Sequence, residues 1–183
     1  MKVPASVAGR ERARLFCALR LPEPVLDAIE AWGSEHLSER IVRRSNLHVT
    51  LAFLGRRPAA DVPAIARELR QAAAAVRRAR FAVSRYRETR SVGMLVLDDE
   101  GGRAIALADD LHGRLERRGV YERERRPWLP HLTVVRFRER PRLAPSLPEL
   151  GAFGPSDAAL YHSVLRSTGA QYEVLETFAL GGT

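Results

Sequence analysis

Residues 14–20 read RLFCALR. Leu15, Cys17 and Leu19 alternate against Phe16 and Ala18, which predicts a first strand. Pro22 and Pro24 stop it and open a helix, because proline suits a first helical turn. Val25, Ile29, Trp32 and Leu37 supply that helix's apolar stripe. Residues 46–55, NLHVTLAFLG, predict the next strand. A second helix follows Asp61, a suitable N-cap. Its stripe is Val62, Ile65, Leu69, Ala72 and Val76, with arginines on the other face. Residues 81–86 and 92–97 predict two strands, and residues 98–102, DDEGG, a turn. A third helix spans 105–118 on Ile105, Ala108, Leu111 and Leu115, with Gly119 closing it. An Arg-rich loop over 121–130 contains Trp128 and leads to a strand at 131–137, HLTVVRF. Residues 141–155 are proline-rich loop, and 158–165 with 171–180 predict a closing hairpin across 166–170.

Helix crossovers and hairpins are mixed in this order, which predicts an α+β fold. Strand–helix–strand ending in His-Val-Thr recurs as strand–helix–strand ending in His-Leu-Thr, a sign of internal duplication. No low-complexity linker divides the chain. The expectation is a loose N-terminus over 1–13 and a single domain over 14–183. No apolar run approaches the roughly 20 residues that span a bilayer, and the first residues lack the apolar core of a signal peptide. A cytoplasmic monomer with no membrane partner is expected.

Charge sharpens the picture. The net charge is +8 with a pI near 10.8, which favours an anionic partner, nucleic acid above all. The cations are 29 arginines and one lysine, Lys2. That removes a P-loop, a lysyl-nucleotide ligase and a Schiff-base enzyme, which all need a lysine in the body of the chain. One cysteine, Cys17, excludes an internal disulfide framework and a Cys-rich zinc site. It reads as a buried strand residue.

The informative residues are His48-Val49-Thr50-Leu51 and His131-Leu132-Thr133-Val134. In a strand, His and Thr two residues apart share a face, here with apolar residues behind them. Composition alone gives two such His-x-Thr pairs on the order of 1% of the time. In-line phosphodiester transfer needs a base on the entering oxygen and an acid on the leaving oxygen, on opposite sides of phosphorus. Two histidines from separate strands can flank one phosphate, and threonine hydroxyls can bond its non-bridging oxygens. No metal or other cofactor is required. His36, His112 and His162 lack the threonine partner and read as surface or packing residues.

These strands, written HVTLAFLG and RPWLPHLTVVRF, together with RLFCALRLPEPV and LYHSVLRSTGAQYEVLETFAL, resemble the 2H phosphoesterases. More narrowly, they resemble the LigT-like (ThpR) RNA 2′,3′-cyclic phosphodiesterases, over nearly the whole chain. The resemblance implies two pseudo-symmetric lobes, with antiparallel sheets lining a central cleft and helices outside. It implies hydrolysis of a 2′,3′-cyclic phosphate at an RNA end to a 2′-phosphomonoester, with reversible 2′–5′ RNA joining in some relatives. It makes His48 the proton donor and His131 the proton acceptor, with Thr50 and Thr133 on the phosphate. It also places Arg136 on the phosphate, although strand parity turns residue 136 away from His131 unless a bulge or strand end intervenes. Phe53 and Trp128 are candidates to stack a terminal base. Alternation with Val49 and Leu51 places Phe53 in the core instead. Arg123, Arg125 and Arg126 are candidate RNA contacts, and Tyr161 and Ser163 read as structural. The alternatives are a non-catalytic RNA-binding module of the same fold, or a phosphodiesterase on small cyclic nucleotides.

Overall fold

The computed structural model describes residue 7 and residues 11–37, 40–166 and 169–181. Among them, three α-helices cover one side of a seven-stranded sheet. The strands are β1 (Arg12–Leu19), β2 (Val49–Pro58), β3 (Phe81–Glu88), β4 (Val92–Asp99), β5 (His131–Arg136), β6 (Ala158–Arg166) and β7 (Gly169–Phe178). The helices are α1 (Glu23–His36), α2 (Val62–Ala75) and α3 (Arg103–Arg117). The sheet order is β3-β4-β5-β2-β1-β6-β7, with every neighbouring pair antiparallel.

The order explains the repeat seen in the sequence. β1-α1-β2 and β4-α3-β5 are each two adjacent antiparallel strands joined through a helix, and β2 and β5 meet at the centre. The two antiparallel halves that the resemblance implies meet at β2 and β5 as one continuous seven-stranded sheet. The seam is thin: Val49 opposite Leu132 is its one register pair.

Alternation in β1 holds. Leu15, Cys17 and Leu19 enter the main core under the helices, whereas Phe16 and Ala18 join Ala159 and Tyr161 in a small cluster on the opposite face. Burial pushes the Cys17 thiol up to about 12, which leaves it without thiolate chemistry. The α1 stripe is buried at Val25, Ile29 and Trp32, and Leu37 is buried just past the helix end. α3 closes with the hydrogen bonds of a Schellman motif, Val120 to the Leu115 carbonyl and Gly119 to that of Glu116. Gly119 takes φ +67°, which glycine adopts without strain.

Several boundaries differ from expectation. Arg12 and Ala13 belong to β1, and Val7 is buried, while the rest of the expected loose terminus up to residue 10 lies outside the described residues. A short 3₁₀ turn over Arg44–Asn46 replaces the predicted start of β2, so His48 stands at the mouth of the strand. Ile105 is exposed, and the buried stripe of α3 runs instead through Ala104, Leu107, Ala108, Leu111 and Leu115. Asp61 precedes α2 without a side-chain capping bond. Asp98 and Asp99 extend β4, so the turn that follows is the 3₁₀ segment Glu100–Gly102. Of the turn expected over 166–170, Arg166 belongs to β6 and Gly169 and Ala170 to β7, and residues 167–168 lie outside the described residues.

Candidate active site

The one seam pair sets the site. Continuing the antiparallel register by one residue each way puts His48 opposite Thr133 and Thr50 opposite His131. All four then share a face, with Val49, Leu51, Leu132 and Val134 buried behind them. The histidines are diagonal neighbours, which in an antiparallel pair lie roughly 7–8 Å apart. That spacing is between backbones, from which both imidazoles extend into the same cleft. His48, Thr50, His131, Thr133 and Arg136 line one cleft of about 950 Å³.

The two imidazoles are held alike. His48 Nδ1 lies 2.8 Å from the Asn46 carbonyl, and His131 Nδ1 lies 2.8 Å from the Leu129 carbonyl. A carbonyl only accepts, so each Nδ1 carries the proton and each neutral ring presents Nε2 as its basic nitrogen. The Thr50 hydroxyl, 3.0 Å away, donates to His48 Nε2. His48 also sits among three aromatic rings, of which the sequence singles out Tyr161 alone, as a structural residue. Its centroid is 5.0 Å from Phe16, 5.4 Å from Tyr172 and 5.9 Å from Tyr161. Burial in this setting pushes the His48 pKa down to about 4, with the neighbouring His131 and Arg136 acting the same way and the Asn46 carbonyl opposing them. His48 is therefore neutral at pH 7.

Bulges decide which further side chains reach the site. Along β2, Cys17 faces Ala52 but Ala18 faces Thr50, so Leu51 is an extra residue. Leu51 and Ala52 are both buried, and parity is reversed beyond them. Phe53 is thus 50% exposed on the cleft wall, contrary to the core position that alternation predicts. The Arg14 guanidinium lies over its ring at 4.9 Å from the centroid. Along β5, Gly93 faces Val135 but Met94 faces Thr133, so Val134 is the extra residue. That bulge carries Arg136 round to the His131 face and removes the parity conflict.

The bulge in β2 is clamped from the other half. Trp128 Nε1 donates to the Thr50 carbonyl at 2.9 Å, and His112 Nε2 donates to the Leu51 carbonyl at 2.8 Å. Trp128 lines a second cavity beside the cleft, but its indole N–H is committed to this bond. His112 is buried against Tyr121, with ring centroids 4.8 Å apart. Of the two sequence readings, surface or packing, its burial selects packing, whereas nothing in the sequence marks its hold on the His48 strand. Arg123 pairs with Asp109 and Glu116, and Arg126 pairs with Glu124 beside the second cavity. Tyr161 stacks on Phe16 at 4.8 Å, and Ser163 is buried at the cleft edge.

The cleft's charge has one sign. Arg14, Arg40, Arg43 and Arg136 line it, and no aspartate, glutamate or cysteine does among the described residues. None of these four arginines makes an ion pair among the described residues. Guanidinium groups without carboxylate partners around two imidazoles form a site for an oxyanion with further negative charge beside it. Among the described residues, no three His, Cys, Asp or Glu side chains are grouped as a metal site would require.

A family model for the 2′-5′ RNA ligase superfamily matches residues 21–168. The chain is 28% identical over 181 residues to the RNA 2′,3′-cyclic phosphodiesterase of Escherichia coli K12, covering 93% of this chain and 98% of that one. It is 33% identical over 185 residues to the RNA 2′,3′-cyclic phosphodiesterase of Thermus thermophilus, covering 92% and 91%. The crystal structure of E. coli LigT in apo form superimposes with a TM-score of 0.78 at 25% identity, covering 93% of this chain and 99% of that one. The fold is that of a LigT-like 2H phosphoesterase. The chain belongs to the 2′-5′ RNA ligase superfamily.

Proposed function

We propose that the protein is an RNA 2′,3′-cyclic phosphodiesterase that opens the terminal ring to a 2′-phosphomonoester by two-histidine acid–base catalysis. The observation that carries this reading is the cleft itself: two diagonal imidazoles presenting Nε2, two threonine hydroxyls, and arginines with no carboxylate among the described lining residues. The names of its relatives in E. coli and T. thermophilus agree with it.

In the proposed reaction, His131 Nε2 takes a proton from water as its oxygen attacks phosphorus. The bond from phosphorus to the 3′ oxygen breaks on the far side, and His48 delivers a proton to that oxygen. Thr50, Thr133 and Arg136 hold the non-bridging oxygens, where charge grows in the transition state. A neutral resting His48 has no proton to give from Nε2. The substrate's negative charge supplies the missing condition, because an anion beside the ring favours the imidazolium against the burial that chiefly depresses His48, and also offsets the lesser repulsion from His131 and Arg136. His48 thus becomes an acid once phosphate is bound. With an RNA 5′-hydroxyl replacing water, the same steps form a 2′–5′ phosphodiester.

RNA with a cyclic phosphate end is the proposed partner, and a cytoplasmic monomer the proposed setting. No helix of the described chain is long and apolar enough to cross a membrane. The test is product analysis on an oligoribonucleotide ending in 2′,3′-cyclic phosphate. A 2′-phosphomonoester is expected. A 3′-phosphomonoester would mean that the other ring bond breaks, and binding without turnover would mark an RNA-binding module.

A further inference from the structure

The second cavity, of about 660 Å³, continues the catalytic cleft on one side, since Thr50, Phe53 and His131 line both. Trp128 and Met94 contribute apolar wall. Arg85 and Arg87 of β3 line it as well, and neither makes an ion pair among the described residues. This sets them apart from Arg123 and Arg126, which carboxylates already engage. The direction of Arg85 and Arg87 is again built by a bulge. Val83 faces Leu97 but Arg85 faces Val96, so Ser84 is extra, and the core-packed residue shifts from Val83 to Tyr86.

In-line substitution says what such a cavity is for. Entering and leaving oxygens lie on opposite sides of phosphorus, so whatever is attached to the entering oxygen extends past the group that takes its proton. If that group is His131, the extension runs into this cavity. Water has nothing to place there, and a space of about 660 Å³ far exceeds what water needs. Aromatic walls at Phe53 and Trp128 suit a base, and two guanidinium groups without carboxylate partners suit the phosphate that follows it.

We propose that this cavity is an acceptor subsite, which takes the 5′-hydroxyl nucleoside of a second RNA strand with Arg85 and Arg87 on its next phosphate. The assignment rests on the cyclic phosphodiesterase reading, with His131 as proton acceptor. The acceptor 5′ oxygen bonds to phosphorus and its proton passes to His131. The bond from phosphorus to the 3′ oxygen breaks, and that oxygen takes a proton from His48. The product is a 2′–5′ phosphodiester with a free 3′-hydroxyl, and no nucleotide cofactor is consumed. In reverse, the same cavity holds the departing 5′ nucleoside.

The experiment mixes the protein with a donor oligoribonucleotide ending in 2′,3′-cyclic phosphate and an acceptor oligoribonucleotide with a 5′-hydroxyl, and measures joined and hydrolysed donor together. For the Arg85→Glu/Arg87→Glu variant, checked for folding by thermal melting, the ratio of joined to hydrolysed product is expected to fall about tenfold or more, as befits loss of charge-assisted bonds. An unchanged ratio overturns the subsite. Hydrolysis by the unaltered protein with no joining also overturns it, and leaves the phosphodiesterase reading standing. Neither reaction occurring overturns both.

Discussion

Phe53 and Arg136 occupy equivalent places in the two halves of the fold. Each lies three residues past its motif threonine, and each is turned into the cleft by a bulge at the residue directly after that threonine, Leu51 in β2 and Val134 in β5. One position offers a ring and the other a guanidinium, so the two substitutions should differ in kind. Arg136→Ala removes charge-assisted bonds to the phosphate, worth about 1.5–3 kcal/mol each. A loss of about 10–100-fold in kcat/KM with a lowered kcat is expected. Phe53→Ala removes stacking worth about 1–3 kcal/mol per base, which should raise KM with kcat little changed. Steady-state kinetics on one cyclic-phosphate oligoribonucleotide checks both.

The bulge that delivers Arg136 depends on Gly93, its partner in β4. A Cβ at residue 93 would collide with the Tyr86 hydroxyl and sit 2.6 Å from Val135 Cγ1. Gly93→Ala is expected to cost about 1–3 kcal/mol, the usual range for overpacking, and to lower activity through displaced Val135 and Arg136. Adding Tyr86→Ala relieves part of the clash, so the double variant should cost less than the sum of the single ones. Denaturant unfolding of the three variants measures this.

Trp128 and His112 hold the β2 bulge through the Thr50 and Leu51 carbonyls. Across a seam of one register pair, these bonds help to fix how the His48 strand sits against the His131 strand. Trp128→Phe keeps a ring and deletes the donor, leaving a carbonyl short of a partner at a cost of about 1–3 kcal/mol. A fall in kcat with little change in KM is expected. An equal rise in KM would mean that Trp128 serves chiefly to bind RNA.

A lowered His48 pKa has a consequence for stability. The unfolded chain binds the proton near pH 6.5, whereas the folded site resists it until about 4. Below 6.5 the unfolded state therefore holds more protons, and stability falls as pH drops toward 4, by at most on the order of 3 kcal/mol. Thermal melts between pH 4 and 7 should show this loss in the unaltered protein and less of it in His48→Ala. Inorganic phosphate should lift the His48 titration, followed by NMR of its imidazole protons. A midpoint unmoved by phosphate would contradict the donor role.

The sequence carried the paired motifs because their face-sharing follows from local period-two geometry, which both strands obey from His48 to Thr50 and from His131 to Thr133. It failed one residue later. Leu51 and Val134 are ordinary core residues, and nothing in their chemistry marks a bulge, so parity misplaced Phe53 and left Arg136 in conflict. Gly93, a glycine inside an apolar strand, was the available sign of a close approach there. The aromatic setting of His48 comes from three strands distant in sequence, and only the sheet order brings Phe16, Tyr161 and Tyr172 together. Ala108, Leu111 and Leu115 hold the α3 stripe as predicted, but its first member is Ala104, four residues before Ala108, and Ile105 falls beside the buried face.

The most direct test is turnover of a 2′,3′-cyclic-phosphate oligoribonucleotide in excess EDTA by the unaltered protein, His48→Ala and His131→Ala. Undiminished turnover by the unaltered protein is expected, with a loss of about 10²–10⁴-fold in each folded variant, the usual contribution of a positioned acid or base. Turnover abolished by EDTA, or retained when either imidazole is removed, would contradict the account.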